Sequence, residues 1–182
     1  MGNNFLYQLS LSREVSIITL RDGDDVLPIA KGLIESGRTI MEVALRNETA
    51  VAAIKRIRRE FPDALVGAGA INRSHQITLA HEVGAQFVAT LGFSETMIAE
   101  ARTREITILS GAAIPTDVIA GLDKGVSTFH FHPAGGLGGV PYLVSLSEAF
   151  PEAGFYVTGG ISAKEVKPYL AIDNVIAVGR PA

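Results

Sequence analysis

A (β/α)8 TIM barrel is predicted from three features of the chain: eight apolar runs of strand length, helical spacing between them, and glycines where the helices stop. The runs cover residues 15–20, 38–45, 64–68, 86–90, 106–110, 126–132, 154–158 and 174–178. Between the first two, residues 25–36 place Val26, Leu27, Ile29, Ala30, Leu33 and Ile34 on one broad apolar stripe, the period of an amphipathic helix. Gly37, Gly84, Gly125 and Gly154 follow helical segments just before the next strand, where a left-handed C-terminal cap costs glycine least. Strict alternation of strand and helix implies parallel strands joined by right-handed crossovers. After the eighth strand the chain stops at Gly179-Arg180-Pro181-Ala182, so the barrel is expected to lack its eighth helix and to be incomplete on one side.

Composition narrows the function. A chain of 182 residues with 47% hydrophobic content supports one core, hence one domain over residues 1–182. A net charge of −3 without a Lys/Arg run argues against a nucleic-acid partner, because phosphate neutralisation needs clustered cations. Arg56, Arg58 and Arg59 are offset by Glu48 and Glu60, as on a solvated helix face. The lack of cysteine excludes disulfides, thiolate catalysis and zinc–cysteine sites. Residues 1–11, with Asn3, Asn4, Gln8 and Ser10, form neither a signal peptide nor a membrane span, so a cytoplasmic protein with no membrane partner is expected.

In this fold the active site forms at the C-terminal ends of the strands, so polar residues there carry the most information. On the second strand Ile40, Glu42, Ala44 and Arg46 share a face. An unpaired buried carboxylate costs several kcal/mol or becomes neutral, so Glu42 needs an explanation. One reading is a Glu42–Arg46 ion pair that plugs the barrel; the other is Glu42 as general acid/base beside an Arg46 that clamps a substrate carboxylate.

On the sixth strand Thr128, His130 and His132 face together. A single buried histidine is usually a satisfied core residue; two on one face point to a site. His130 is a second candidate catalytic residue and His132 a substrate contact. Glu42, His130 and His132 also have the composition of a two-His-one-carboxylate metal site, which makes a divalent metal a candidate cofactor.

Thr158-Gly159-Gly160-Ile161-Ser162 and Val178-Gly179-Arg180 end the last two strands, where backbone N–H groups approach phosphate in many barrels. Thr158, Gly159, Gly160, Gly179 and Arg180 are therefore candidate substrate-binding residues, Arg180 supplying the cation. Gly67-Ala68-Gly69-Ala70 is not a dinucleotide fingerprint, and the Gly135, Gly136, Gly138, Gly139 loop is either a lid or a plain connection. His75 and His81 receive no role, and Ser94, Ser110 and Ser162 lack the partners of a serine nucleophile.

Taken together, the motifs Met41-Glu42-Val43-Ala44-Leu45-Arg46, Val66-Gly67-Ala68-Gly69, Gly84-Ala85-Gln86-Phe87, Phe129-His130-Phe131-His132-Pro133-Ala134 and Thr158-Gly159-Gly160-Ile161-Ser162 resemble the bacterial 2-keto-3-deoxy-6-phosphogluconate / 4-hydroxy-2-oxoglutarate aldolases. The resemblance implies a carbon–carbon lyase acting on a small, phosphorylated 2-keto acid without a cofactor, and a homotrimer. It assigns proton transfer to Glu42, the keto-acid carboxylate to Arg46, and the phosphate to Gly159, Gly160 and Gly179. The family's Schiff-base lysine falls at His130, and imidazole cannot form a protonated imine with a ketone. Ala70, His132 and Leu91 also depart from the family pattern. Three readings follow: a lyase that stabilises its enolate without the lysine, a non-catalytic homologue that binds keto acid or phosphate, and a phosphosugar isomerase or decarboxylase using Glu42 and His130 as paired proton carriers.

Overall fold

Strands that are apolar on both faces need cover on both, and here the barrel lumen supplies one cover and the helices the other. The computed structural model describes residues 2–182, with side chains from Phe5 onward. In chain order the elements are α1 (Gly2–Ser12), β1 (Glu14–Ile18), α2 (Val26–Glu35), β2 (Ile40–Ala44), α3 (Glu48–Glu60), β3 (Leu65–Ile71), α4 (Ser74–Glu82), β4 (Phe87–Thr90), α5 (Glu95–Thr103), β5 (Thr107–Gly111), α6 (Pro115–Asp123), β6 (Thr128–Phe131), α7 (Gly139–Ala149), β7 (Gly154–Thr158), α8 (Val166–Leu170) and β8 (Val175–Pro181). All eight strands pair in parallel and in sequence order, and β8 closes on β1 with Ser16 opposite Arg180. The predicted barrel is the observed one.

Local chemistry explains the helix starts. Asp25 and Asn47 accept backbone N–H bonds from Leu27 and Ala50, and Pro115 opens α6, where its missing N–H costs nothing. Along α3, Ala50, Ala53, Ile54 and Ile57 are buried at spacings of three and four, the stripe that packs a helix onto a sheet. Gly37, Gly84 and Gly125 hold the expected positive φ angles of 80°, 86° and 70°. Gly154 does not: it is the first residue of β7, and the cap of α7 is Phe150.

The expected gap in the helix ring is not found: the barrel is closed and eight helices accompany its eight strands among the described residues. The eighth helix is instead α1, which precedes β1 and was not anticipated. Only Phe5, Leu6 and Leu9 hint at it, among polar neighbours. Phe5 and Leu9 enter the lumen cluster with Val15, Ile40, Phe87, Leu109 and Tyr156. The Phe5 ring stacks on Phe87 at 4.3 Å between centroids, and a Cβ at Gly67 would overlap the Phe87 ring. A glycine on one strand thus admits a large ring from the next, and α1 seals the end opposite the strand C-termini. No helix among the described residues is long and apolar enough to cross a membrane.

Phe5→Ala is expected to lower stability by about 3 kcal/mol, the usual cost of an aromatic-sized void. Urea unfolding would read this as a lower midpoint with little change in slope; an unchanged midpoint would mean that α1 does not seal the lumen.

Candidate active site

Alternation along the strands sends Glu42, His130 and Thr158 inward, and with His132, in the turn just after β6, they meet at the C-terminal end of the barrel. There a cavity of about 540 Å³ is lined by these four side chains together with Arg46, Gly159, Gly160 and Gly179. The sequence thus placed eight of its nine candidate residues around one space. Arg180 is the exception. Gly179 faces the lumen, so its neighbour faces out, and the Arg180 guanidinium, partly buried and 3.9 Å from Glu14, does not line the cavity. It offers no cation to an anion in the cavity.

Glu42 is 3% exposed, and its partner is not Arg46. It accepts a 3.0 Å hydrogen bond from the Tyr156 hydroxyl, which corrects the plugging ion pair. Burial pushes the Glu42 carboxyl up to about 7, with the Tyr156 bond pulling modestly the other way. The same burial, with the Glu42 charge adding to it, drives the Tyr156 phenol well above its ordinary range. Two glycines make room for the pair: a Cβ at Gly69 would overlap the Glu42 carboxyl, and one at Gly179 the Tyr156 hydroxyl. Gly179 therefore both lines the cavity and makes room for the Tyr156 hydroxyl.

His130 is 2% exposed, and both its ring nitrogens are bonded. Its Nδ1 lies 2.8 Å from the Thr90 carbonyl oxygen and its Nε2 2.6 Å from Thr158 Oγ1. His132, just beyond the strand and half-buried, places Nδ1 2.8 Å from the same Thr158 oxygen. Burial lowers His130 to about 4, the Thr90 bond opposing the shift and His132 adding to it. Burial also lowers His132, and the nearby charge of Arg46 lowers it further.

This network replaces the expected metal site. Among the described residues no three His, Asp or Glu side chains converge as a metal would require, and the nitrogens of His130 and a carboxyl oxygen of Glu42 are committed to protein partners. The pairing of Glu42 with His130 as substrate proton carriers is corrected on the same ground. The glycine loop at 135–139 is no free lid either: the Ala134 and Gly135 amides bond to the carbonyls of Thr158 and Gly159.

Sequence reasoning missed Tyr156, Thr90, Asn72 and Gln76. Tyr156 was within reach, since it stands two residues before Thr158 on β7 and so shares its face. Thr90 contributes a main-chain oxygen, and Asn72 and Gln76 arrive from the loop and helix after β3. Nothing in a linear pattern marks them.

Glu42 and His130 have opposite effects on folding. Glu42 holds its proton more tightly when folded, so its contribution is full below pH 4.5 and is lost as pH rises through 7. His130 holds its proton less tightly when folded, so its contribution is full above pH 6.5 and is lost as pH falls through 4. Between pH 4.5 and 6.5 the folded chain carries one proton on Glu42 and the unfolded chain carries one on His130. The two slopes cancel there. Glu42→Gln is expected to leave a stability that climbs with pH up to 6.5, and His130→Asn one that falls from pH 4.5 to 7, each by roughly 3 kcal/mol. Urea titrations across this range test both; parallel pH profiles for parent and variants would refute the opposed titrations.

The sequence model of the KDPG and KHG aldolase family matches residues 7–181. The KHG/KDPG aldolase of Escherichia coli K12 is 35% identical over 165 residues, covering 91% of this chain and 78% of the relative. A crystal structure of the Zymomonas mobilis ZM4 2-keto-3-deoxy-6-phosphogluconate aldolase with 3-phosphoglycerate superposes with a TM-score of 0.92 at 32% identity, covering 99% and 86% of the two chains. The KDPG aldolase of Legionella pneumophila, solved with pyruvate captured as a covalent carbinolamine, gives a TM-score of 0.89 at 33% identity, covering 94% and 83%. The chain therefore has the fold of these aldehyde-lyases and belongs to the KDPG and KHG aldolase family.

Proposed function

We propose that this chain is a carbon–carbon lyase for a small 4-hydroxy-2-keto acid, working through an enolate held by hydrogen bonds and charge rather than through an imine. The observation that carries the proposal is Glu42: a buried carboxyl pushed up to about 7, at the wall of a cavity, exchanges protons with carbon far better than an exposed one. Arg46, exposed in the bend just beyond β2 and lining the same cavity, is the anchor for the substrate carboxylate. Gly159 and Gly160, with positive φ angles of 88° and 72°, turn the chain beside the cavity and offer backbone to a distal phosphate or carboxylate.

The imine route lacks its nucleophile. The Legionella relative holds pyruvate as a carbinolamine, an adduct that needs an amine. No lysine lines the cavity among the described residues, and the resemblance of the β6 motif puts the family's lysine position at His130. A second reading, a keto-acid-binding homologue without turnover, is favoured by that same substitution. The proposal carries over the family's homotrimer and a cytoplasmic setting, the first checked by sedimentation as three copies of the chain.

The test is exchange of pyruvate methyl protons with D2O, followed by NMR. Exchange is expected in the parent, unaffected by borohydride, and about 100-fold slower in Glu42→Gln. Binding without exchange would establish the binding homologue, and no binding would remove both readings. His130→Lys is expected to gain a borohydride-trapped pyruvate adduct visible by mass spectrometry; failure to trap would mean that the keto carbon does not approach that position.

A further inference from the structure

We propose that His132 is a second catalytic residue of the lyase site, its Nε2 removing the substrate hydroxyl proton while the Glu42 carboxyl protonates the enolate carbon. The inference rests on the lyase reading and adds the group that starts bond cleavage.

The argument follows hydrogen-bond direction. A carbonyl oxygen only accepts, so His130 Nδ1, 2.8 Å from the Thr90 oxygen, carries a proton. Burial keeps the ring neutral near pH 7, so His130 Nε2 is a bare acceptor. The Thr158 hydroxyl, 2.6 Å away, donates its one proton there. Only lone pairs remain on that oxygen for His132, so His132 Nδ1, at 2.8 Å, must donate. The neutral His132 ring is left with an unprotonated Nε2, which has no protein hydrogen-bond partner among the described residues, on a side chain that lines the cavity. The groups facing this ring are Arg46, whose charge disfavours a second proton, and His130, 5.2 Å away between centroids.

The chain of donors runs one way, from His132 through Thr158 and His130 to Thr90. It fixes the tautomer in the way that a buried carboxylate orients the histidine of a hydrolase triad. Thr158 and His130 are positioning residues. The reaction balances: the hydroxyl proton passes to His132 Nε2, the bond between C3 and C4 breaks to release an aldehyde, its electron pair forms the enolate of the keto acid, and the Glu42 proton goes to C3. Solvent then returns the His132 proton to Glu42. One group ready to accept a proton and one ready to give it face the same cavity, which is what cleavage of a β-hydroxy ketone requires.

Two measurements on the full chain test the proposal. First, 15N NMR of the histidine rings at pH 7.5, assigned with His132→Gln, is expected to show His132 protonated on Nδ1 and bare on Nε2. Thr158→Val should redistribute the tautomer and Thr158→Ser should restore it. A His132 ring protonated on Nε2 overturns the proposal whatever the activity. Second, His132→Gln is expected to slow cleavage of 4-hydroxy-2-oxoglutarate about 100-fold, chiefly in kcat, while slowing pyruvate proton exchange by less than a tenth of that factor. Cleavage within threefold of the parent overturns the role of His132 while leaving the lyase reading in place. A parent that neither exchanges nor cleaves removes the lyase reading, and this inference with it.

Discussion

The hydrogen bond from Tyr156 to Glu42, 3.0 Å long and shut away from solvent, sets the terms for the residues around it. A carboxyl in a barrel lumen has to be neutral, paired with a cation or hydrogen-bonded, since bare burial of its charge costs more than a small domain can spare. Here a phenol donates to it and burial keeps its proton affinity high. Space is the second requirement, and Gly69 and Gly179 supply it by lacking the Cβ that would strike one partner or the other. Below the pair, Phe87 and Phe5 pack the lumen with apolar side chains, so the helix that precedes the barrel contributes to the low-dielectric surroundings of a site at its far end.

The second network, His130, Thr158 and His132, forms part of the cavity wall. Imidazole and amine differ in more than basicity. An amine becomes covalently bound to the ketone and acts as its electron sink, whereas a neutral imidazole only accepts and donates protons. With both nitrogens bonded, His130 is a structural part of the wall. The proposed base is His132, just beyond the strand, where the ring is half-buried and one edge lacks a protein partner among the described residues. A barrel accommodates such a change because the strands fix where side chains point and leave their identity free.

Much of this was legible in the chain. Period-two alternation brings Glu42 and His130 to the lumen, while Arg46 and His132, just beyond the ends of β2 and β6, line the same cavity. The same rule explains the error at Arg180, an adjacent residue of Gly179 and hence on the opposite face. It also offered Tyr156, which was overlooked because a tyrosine in an apolar strand reads as core until its hydroxyl has a partner.

The sequence by itself determined the barrel, the order of its strands and the end at which the site lies, because these follow from local period and punctuation that each segment carries alone. Only the tertiary structure decided what the polar groups do. Whether Glu42 meets Arg46 or Tyr156, whether His130 has a free nitrogen, and which oxygen orients it depend on contacts between residues up to 114 positions apart. Hydrogen-bond direction and burial are properties of those contacts. They appear only when eight strands have closed and water has left the lumen.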